Sequence, residues 1–162
     1  MDVADKIKKF IEFEKRSAGI CRDLSALFNG AAEELFSALS REEEGHAVIL
    51  EHALACFKAG DLSPELFAFL SPQIDETLDL AGTMERRLAS KELTLPEALE
   101  LMLAMERSVA EKYRVGYLVD MSFGKGGLAI SNEFAKVVCE RGCHVARIKA
   151  FMQNGQQRAK EF

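Results

Sequence analysis

Apolar and small residues recur along this chain at three- and four-residue intervals, the period of one face of an α-helix. Ile7, Phe10, Ser17, Cys21, Leu24 and Phe28 mark one such face and predict a helix over about 2–28, stopped by the turn signal Asn29-Gly30. Phe36, Leu39, Leu50, Ala53 and Phe57 mark a second over about 31–59, with Gly60 where a C-terminal cap belongs. Ser63-Pro64 and Ser71-Pro72 each set a capping residue before a proline, predicting a short helix at about 64–70 and a medium one at about 72–89. Thr94-Leu95-Pro96-Glu97 has the spacing of a capping box and opens a third long helix, about 95–121, striped by Leu99, Met102, Val109, Tyr113 and Tyr117. After Gly124-Lys125-Gly126-Gly127, Ser131 or Asn132 is expected to cap a fourth, about 132–154, with Phe134, Val137, Ile148 and Phe151 inward and Asn154-Gly155 as its stop. Alternating Val/Ile/Thr runs are missing, so no strand is expected. The pattern predicts one all-α domain over 1–162. Two antiparallel helical hairpins are joined by a crossover of about thirty residues, which suits a four-helix bundle better than an up-down-up-down order with short loops.

Ionisable residues interrupt each long stripe. Glu14 lies between Phe10 and Cys21; Glu43 and His46 interrupt the second helix, Glu106 the third, and Arg141 and His144 the fourth. A buried carboxylate is costly unless paired or metal-bound, and four helices sharing the anomaly point to a common cause. Glu14 precedes Asn29 by 15 residues and Glu43 follows it by 14, so the two sit at nearly one height in an antiparallel hairpin. Glu106 precedes Gly124 by 18 and Arg141 follows Gly127 by 14, which again agrees within about one turn. Glu43 and His46, three apart, project from one helix face. A trace of a repeat is also present. Glu14 corresponds to Glu106 at an offset of 92, and Glu43 and His46 correspond to Arg141 and His144 at an offset of 98.

This constellation resembles the rubrerythrin-like branch of the ferritin-like superfamily, over most of the chain. The resemblance implies a ferritin-like fold and a carboxylate-bridged di-iron centre that reacts with peroxide or dioxygen, of peroxidase or ferroxidase type. Glu14, Glu43, His46, Glu106 and His144 would be its metal ligands. The chain departs from the family on the fourth helix, where Arg141 stands in place of a second Glu-x-x-His glutamate. Glu140, one step round, is either a surface residue or the missing carboxylate if that helix rotates. His144 is either a ligand or a core histidine donating to a glutamate, and Arg141 reads as a counter-ion. With neutral histidines, three carboxylates and Arg141 leave a double negative charge that one divalent ion would balance, so one iron or two remain open. Carboxylate and imidazole donors also admit manganese or zinc.

Composition narrows the alternatives. Apolar residues are 48% and charged residues 29%, which excludes a disordered chain. A balance of 21 basic against 26 acidic residues gives a charge of -5 and argues against a nucleic-acid partner. The longest apolar runs are five residues, as in Leu101–Met105, and Met1 to Phe10 holds no apolar signal core, so a cytoplasmic, non-membrane protein is expected. Cys21, Cys56, Cys139 and Cys143 are expected to be free thiols, the first two buried. A metal or redox pair of Cys139 and Cys143 is the lesser alternative. No paired Cys-x-x-Cys knuckles are present, so a rubredoxin-type module is excluded and an oxidoreductase would need a separate electron donor. Tyr113 and Cys21 occupy matching positions beside the site, and His52 reads as surface. A homodimer is the expected assembly. The competing class is a metal-free bundle with a decayed site, acting as a binding or structural module; an iron-storage cage is a third.

Overall fold

The computed structural model describes residues 2–67, 70, 74–114 and 127–158, apart from the side chains of 110–114, 127–132, 134–136, 138–139 and 155–158. The described residues form a helical bundle of five α-helices, α1 Val3–Leu27, α2 Ala31–Ala59, α3 Ile74–Ser90, α4 Leu95–Arg114 and α5 Gly127–Arg158, with a 3₁₀ turn at Pro64–Phe67. No strand occurs among them.

The helix ends follow local chemistry. The Asp2 carboxylate accepts from the Val3 N–H at 2.8 Å and starts α1. Gly30, at φ +66°, turns the chain into α2 in a conformation that favours glycine. Gly60, at φ +83°, ends α2; its N–H reaches Phe57 O at 3.1 Å and the Asp61 N–H reaches Cys56 O at 3.0 Å, the paired bonds of a Schellman stop. Thr94 and Glu97 meet as expected: Glu97 Oε2 accepts from the Thr94 N–H at 2.9 Å and from its hydroxyl at 2.7 Å.

Two expectations change. The short 64–70 helix is a 3₁₀ turn as far as Phe67, and α5 begins at Gly127, not at a cap on Ser131 or Asn132, running on through Asn154 and Gly155. Serine and asparagine inside a helix cost only tenths of a kcal/mol, and glycine about 1 kcal/mol. The inward packing of Val137, Arg141, His144 and Ile148, all fully buried, outweighs those penalties. The end of the third helix beyond Arg114, the Gly124–Gly126 turn and the side chains of Tyr113, Tyr117, Phe134 and Cys139 lie outside the described residues.

α1 lies along α2 and α4 along α5, the two hairpins meet through α2 and α5, and α3 packs on α1 and α4. Phe10, Phe13, Phe36, Leu39, Leu50 and Met102 are fully buried in the shared core. α3 adds Ile74, Ala81 and Met84 to the core but none of the charged residues that interrupt the stripes. It is also tied by Lys9–Asp75 and Arg16–Glu85 ion pairs to α1, and by a 2.8 Å hydroxyl–hydroxyl hydrogen bond between Thr77 and Ser108 of α4. No helix among the described residues is long and apolar enough to cross a membrane.

Cys21 is fully buried, Cys56 only half-buried and Cys143 exposed, all three as free thiols; the expectation of a buried Cys56 is therefore corrected. Cys56 belongs to the last turn of α2, where the bundle tapers to the surface. Burial, and the charges of Glu43 and Glu106, push the Cys21 thiol well above its ordinary value. Peptide mapping after brief treatment with a thiol reagent should find Cys143 modified in the native protein and Cys21 modified only after unfolding. Equal labelling of the two would contradict the packing of α1.

Candidate metal centre

Four helices each turn a polar residue into the core at one level. Glu14 of α1, Glu43 and His46 of α2, Glu106 of α4, and Arg141 and His144 of α5 are all essentially inaccessible to solvent. These are the residues that break the apolar stripes. The same three-four periodicity that buries Phe10 and Cys21 buries Glu14, and Val137 and Ile148 likewise carry Arg141 and His144 inward.

Arg141 occupies the middle. Its two terminal nitrogens grip Glu43 as a fork, Nη1 to Oε1 at 2.7 Å and Nη2 to Oε2 at 2.5 Å. Nη1 also donates to both Glu106 oxygens at 3.2 and 3.0 Å, and Nη2 donates to Glu14 Oε2. The guanidinium thus touches all three buried carboxylates. One face lies over the Phe13 ring, 5.4 Å from its centre, a cation–π contact that also shields the charge from water.

The histidines flank this cluster with their rings stacked 5.6 Å apart. His46 turns Nδ1 toward Glu43 Oε2 at 3.3 Å and Glu14 Oε2 at 3.6 Å, while Nε2 meets Glu140 Oε2 at 2.8 Å. His144 turns Nδ1 toward Glu43 Oε1 at 3.1 Å and Glu106 Oε2 at 3.4 Å, while Nε2 meets Glu42 Oε2 at 2.8 Å. Arg147 holds Glu42 with bonds of 2.8 and 2.6 Å. Although buried and close to two carboxylates, His144 Nδ1 has no partner within hydrogen-bonding geometry.

Burial alone would lower the His46 pKa, but the hydrogen bonds of Glu14 and Glu43 override it and raise the imidazole to about 9. Burial would lower His144 as well, but the Glu106 and Glu43 carboxylates close to its ring override it and raise it to about 10. Burial pushes Glu14 up to about 7 against the pull of Arg141. Burial acts to raise Glu43, yet the Arg141 charge and the two histidines beside it hold it well below the usual carboxylate range. Glu42, half-buried, is lowered because Arg147 and His144 outweigh its burial. Arg141 and the two raised imidazoles thus place three cations among three carboxyl groups, of which Glu14 keeps its proton up to about 7.

The helix phase also places Glu140. One residue is about 100° of rotation, so turning Arg141 inward carries Glu140 to the rim, where it is half-buried against His46. It does not join the inner cluster. The sequence reading missed three participants: Glu42, Arg147 and Phe13. The first had a signal in the 98-residue offset that relates Glu43 to Arg141 and His46 to His144, because the same offset relates Glu42 to Glu140. His52 is exposed, as expected.

Among the described residues, two groups of buried side chains could hold a metal ion, Glu14 with Glu43 and His46, and Glu43 with Glu106 and His144; the three ligand atoms of each group lie within 4.8 Å of one another. Comparison with protein-family models, curated proteins and solved structures gives no match.

Proposed function

We propose that this chain is a ferritin-like, rubrerythrin-like bundle whose buried centre binds one divalent transition-metal ion, iron foremost, at Glu43, Glu106 and His144. The carrying observation is His144 Nδ1, a buried nitrogen aimed between Glu43 and Glu106 with no hydrogen bond of its own. Glu42, itself held by Arg147, accepts from Nε2 and so fixes the ring with Nδ1 facing the two carboxylates. Arg141 holds Glu106 through bonds of 3.0 and 3.2 Å, looser than its fork on Glu43, so this half of the cluster opens at the smaller cost.

The donor set fits one ion and not two. Both candidate groups draw on Glu43, and a guanidinium lies among all three carboxylates. Three carboxylates and Arg141 leave two negative charges. Two imidazolium protons balance them in the metal-free centre, and one divalent ion balances them with both imidazoles neutral. A bound iron ion would supply reaction with peroxide or dioxygen, using electrons from a separate donor. The chain's own part is to exclude water with Phe13 and the surrounding apolar core, and to hold the Nε2 proton of His144 at Glu42.

A second reading has its own support. Arg141 hydrogen-bonds Glu14, Glu43 and Glu106, and together with the two imidazolium protons it balances their charge, so the centre is also complete as a metal-free ion-pair core in a binding or structural module. Metal analysis of protein made in iron-replete, low-oxygen medium separates the two, together with ferrous-ion calorimetry. About one ion per chain, lost in Glu106→Gln and His144→Asn, is the expected result. No bound ion, no heat of binding and a melting temperature indifferent to iron or manganese would establish the metal-free reading instead.

A further inference from the structure

We infer that Arg141 is a resident cation occupying a latent two-ion site, and that this one side chain sets how many metal ions the bundle accepts. The inference goes beyond the one-ion reading above, and it survives if the native chain binds none.

The two hairpins supply matching parts. Glu14 of α1 and Glu106 of α4 face each other across the guanidinium, each bonded to it. His46 and His144 stack with both Nδ1 atoms inward and both Nε2 atoms on a carboxylate of the opposite hairpin, Glu140 for His46 and Glu42 for His144. Glu42 and Glu140 are themselves the corresponding residues of α2 and α5, at the 98-residue offset. Each half therefore presents a carboxylate of its own, an inward imidazole nitrogen and a carboxylate that orients the ring from outside. Among these positions a single correspondence changes chemistry: Glu43, whose two oxygens face both halves, answers to Arg141.

A second carboxylate at 141 would give four carboxylates, the charge that balances two divalent ions. Arginine does the reverse. It cannot ligate, it remains charged at every accessible pH, and its fork spans both ligand groups where the ions' charge would lie. The unpartnered Nδ1 of His144 marks a donor that the guanidinium leaves unused. Glutamate is also shorter than arginine, so the substitution opens space among the ligands.

Manganese(II) is a suitable probe, since it accepts carboxylate and imidazole donors and needs no exclusion of air. Purified wild type, Arg141→Glu and Arg141→Gln, each full length, would be loaded with excess Mn(II), freed of unbound ion and analysed for metal per chain, with melting curves with and without the ion. Arg141→Glu should hold two ions per chain and fold with Mn(II)-dependent stability. Arg141→Gln removes the cation without adding a ligand charge, and should bind its first Mn(II) at least tenfold more tightly than wild type by calorimetry. The inference fails if Arg141→Glu holds no more metal than wild type, or remains unfolded in excess Mn(II), or if Arg141→Gln gains no affinity. One ion in wild type with no gain in either variant defeats this inference and leaves the one-ion reading standing. No ion in wild type with two in Arg141→Glu does the opposite.

Discussion

Replacing Arg141 with methionine is expected to destabilise the metal-free bundle by about 3–5 kcal/mol, the range for breaking a buried ion pair by removing one partner. Methionine fills much of the same volume, so the loss reflects charge more than a cavity. Glu14, Glu43 and Glu106 would then face one another in a core that excludes water, with only the two imidazoliums to balance them. The carboxylates would respond by taking up protons. Urea unfolding at neutral pH measures the effect. Adding Glu14→Gln to Arg141→Met should recover part of the loss, since one fewer charge then needs a partner. A loss below about 1 kcal/mol, the scale of an exposed ion pair, would mean that Arg141 does not occupy the centre.

The second large effect is on pH. His46 and His144 hold their protons up to about 9 and about 10 in the fold, against an ordinary 6.5. A raised folded-state pKa contributes stability that is fully present below 6.5 and lost as pH rises through the folded value. The metal-free bundle should therefore lose stability between about pH 7 and 10, on the order of a few kcal/mol for two such groups. On the acid side two carboxyls oppose each other. Glu14, raised to about 7, favours the fold below the ordinary carboxyl range and loses that contribution by about pH 7. Glu43, held low, contributes above 4.5 and loses its contribution as pH falls. The acid limb should be shallower than the alkaline one. His144→Asn should flatten the alkaline limb relative to its own neutral-pH stability. An alkaline limb unchanged in that variant would show that His144 is not protonated in the fold.

Much of this centre was legible as interruptions of helical stripes. Glu14, Glu43, His46, Glu106, Arg141 and His144 stood where their neighbours' periodicity demanded apolar residues, and all six are buried together. The helix caps were equally local, because Gly60, Thr94 and Glu97 act within a few residues of themselves. What escaped depended on contacts between distant segments. Glu42 sits in an acidic run that looks solvated, and only the approach of α5 gives it His144 and Arg147 as partners. Phe13 lies off the stripe read for α1, one residue before Glu14, and only the approach of α5 sets the Arg141 guanidinium over its ring. The upward shift of the histidines was out of reach for the same reason, since it draws on carboxylates of other helices, Glu14 for His46 and Glu43 and Glu106 for His144. The start of α5 was misread because Ser131 and Asn132 resemble caps in isolation and packing overrode them.

The crosswise ties between α2 and α5 also bear on which halves of the chain can join. Glu43 and Arg141 occupy equivalent places in two hairpins of similar design. Two first hairpins from different molecules, meeting through α2, would set Glu43 against Glu43. Two second hairpins, meeting through α5, would set Arg141 against Arg141. Like charges buried together repel, so each half tolerates only the unlike half. A single exchange of glutamate for arginine thus gives the hairpins a lock-and-key polarity, in which a first hairpin joined to a second satisfies both.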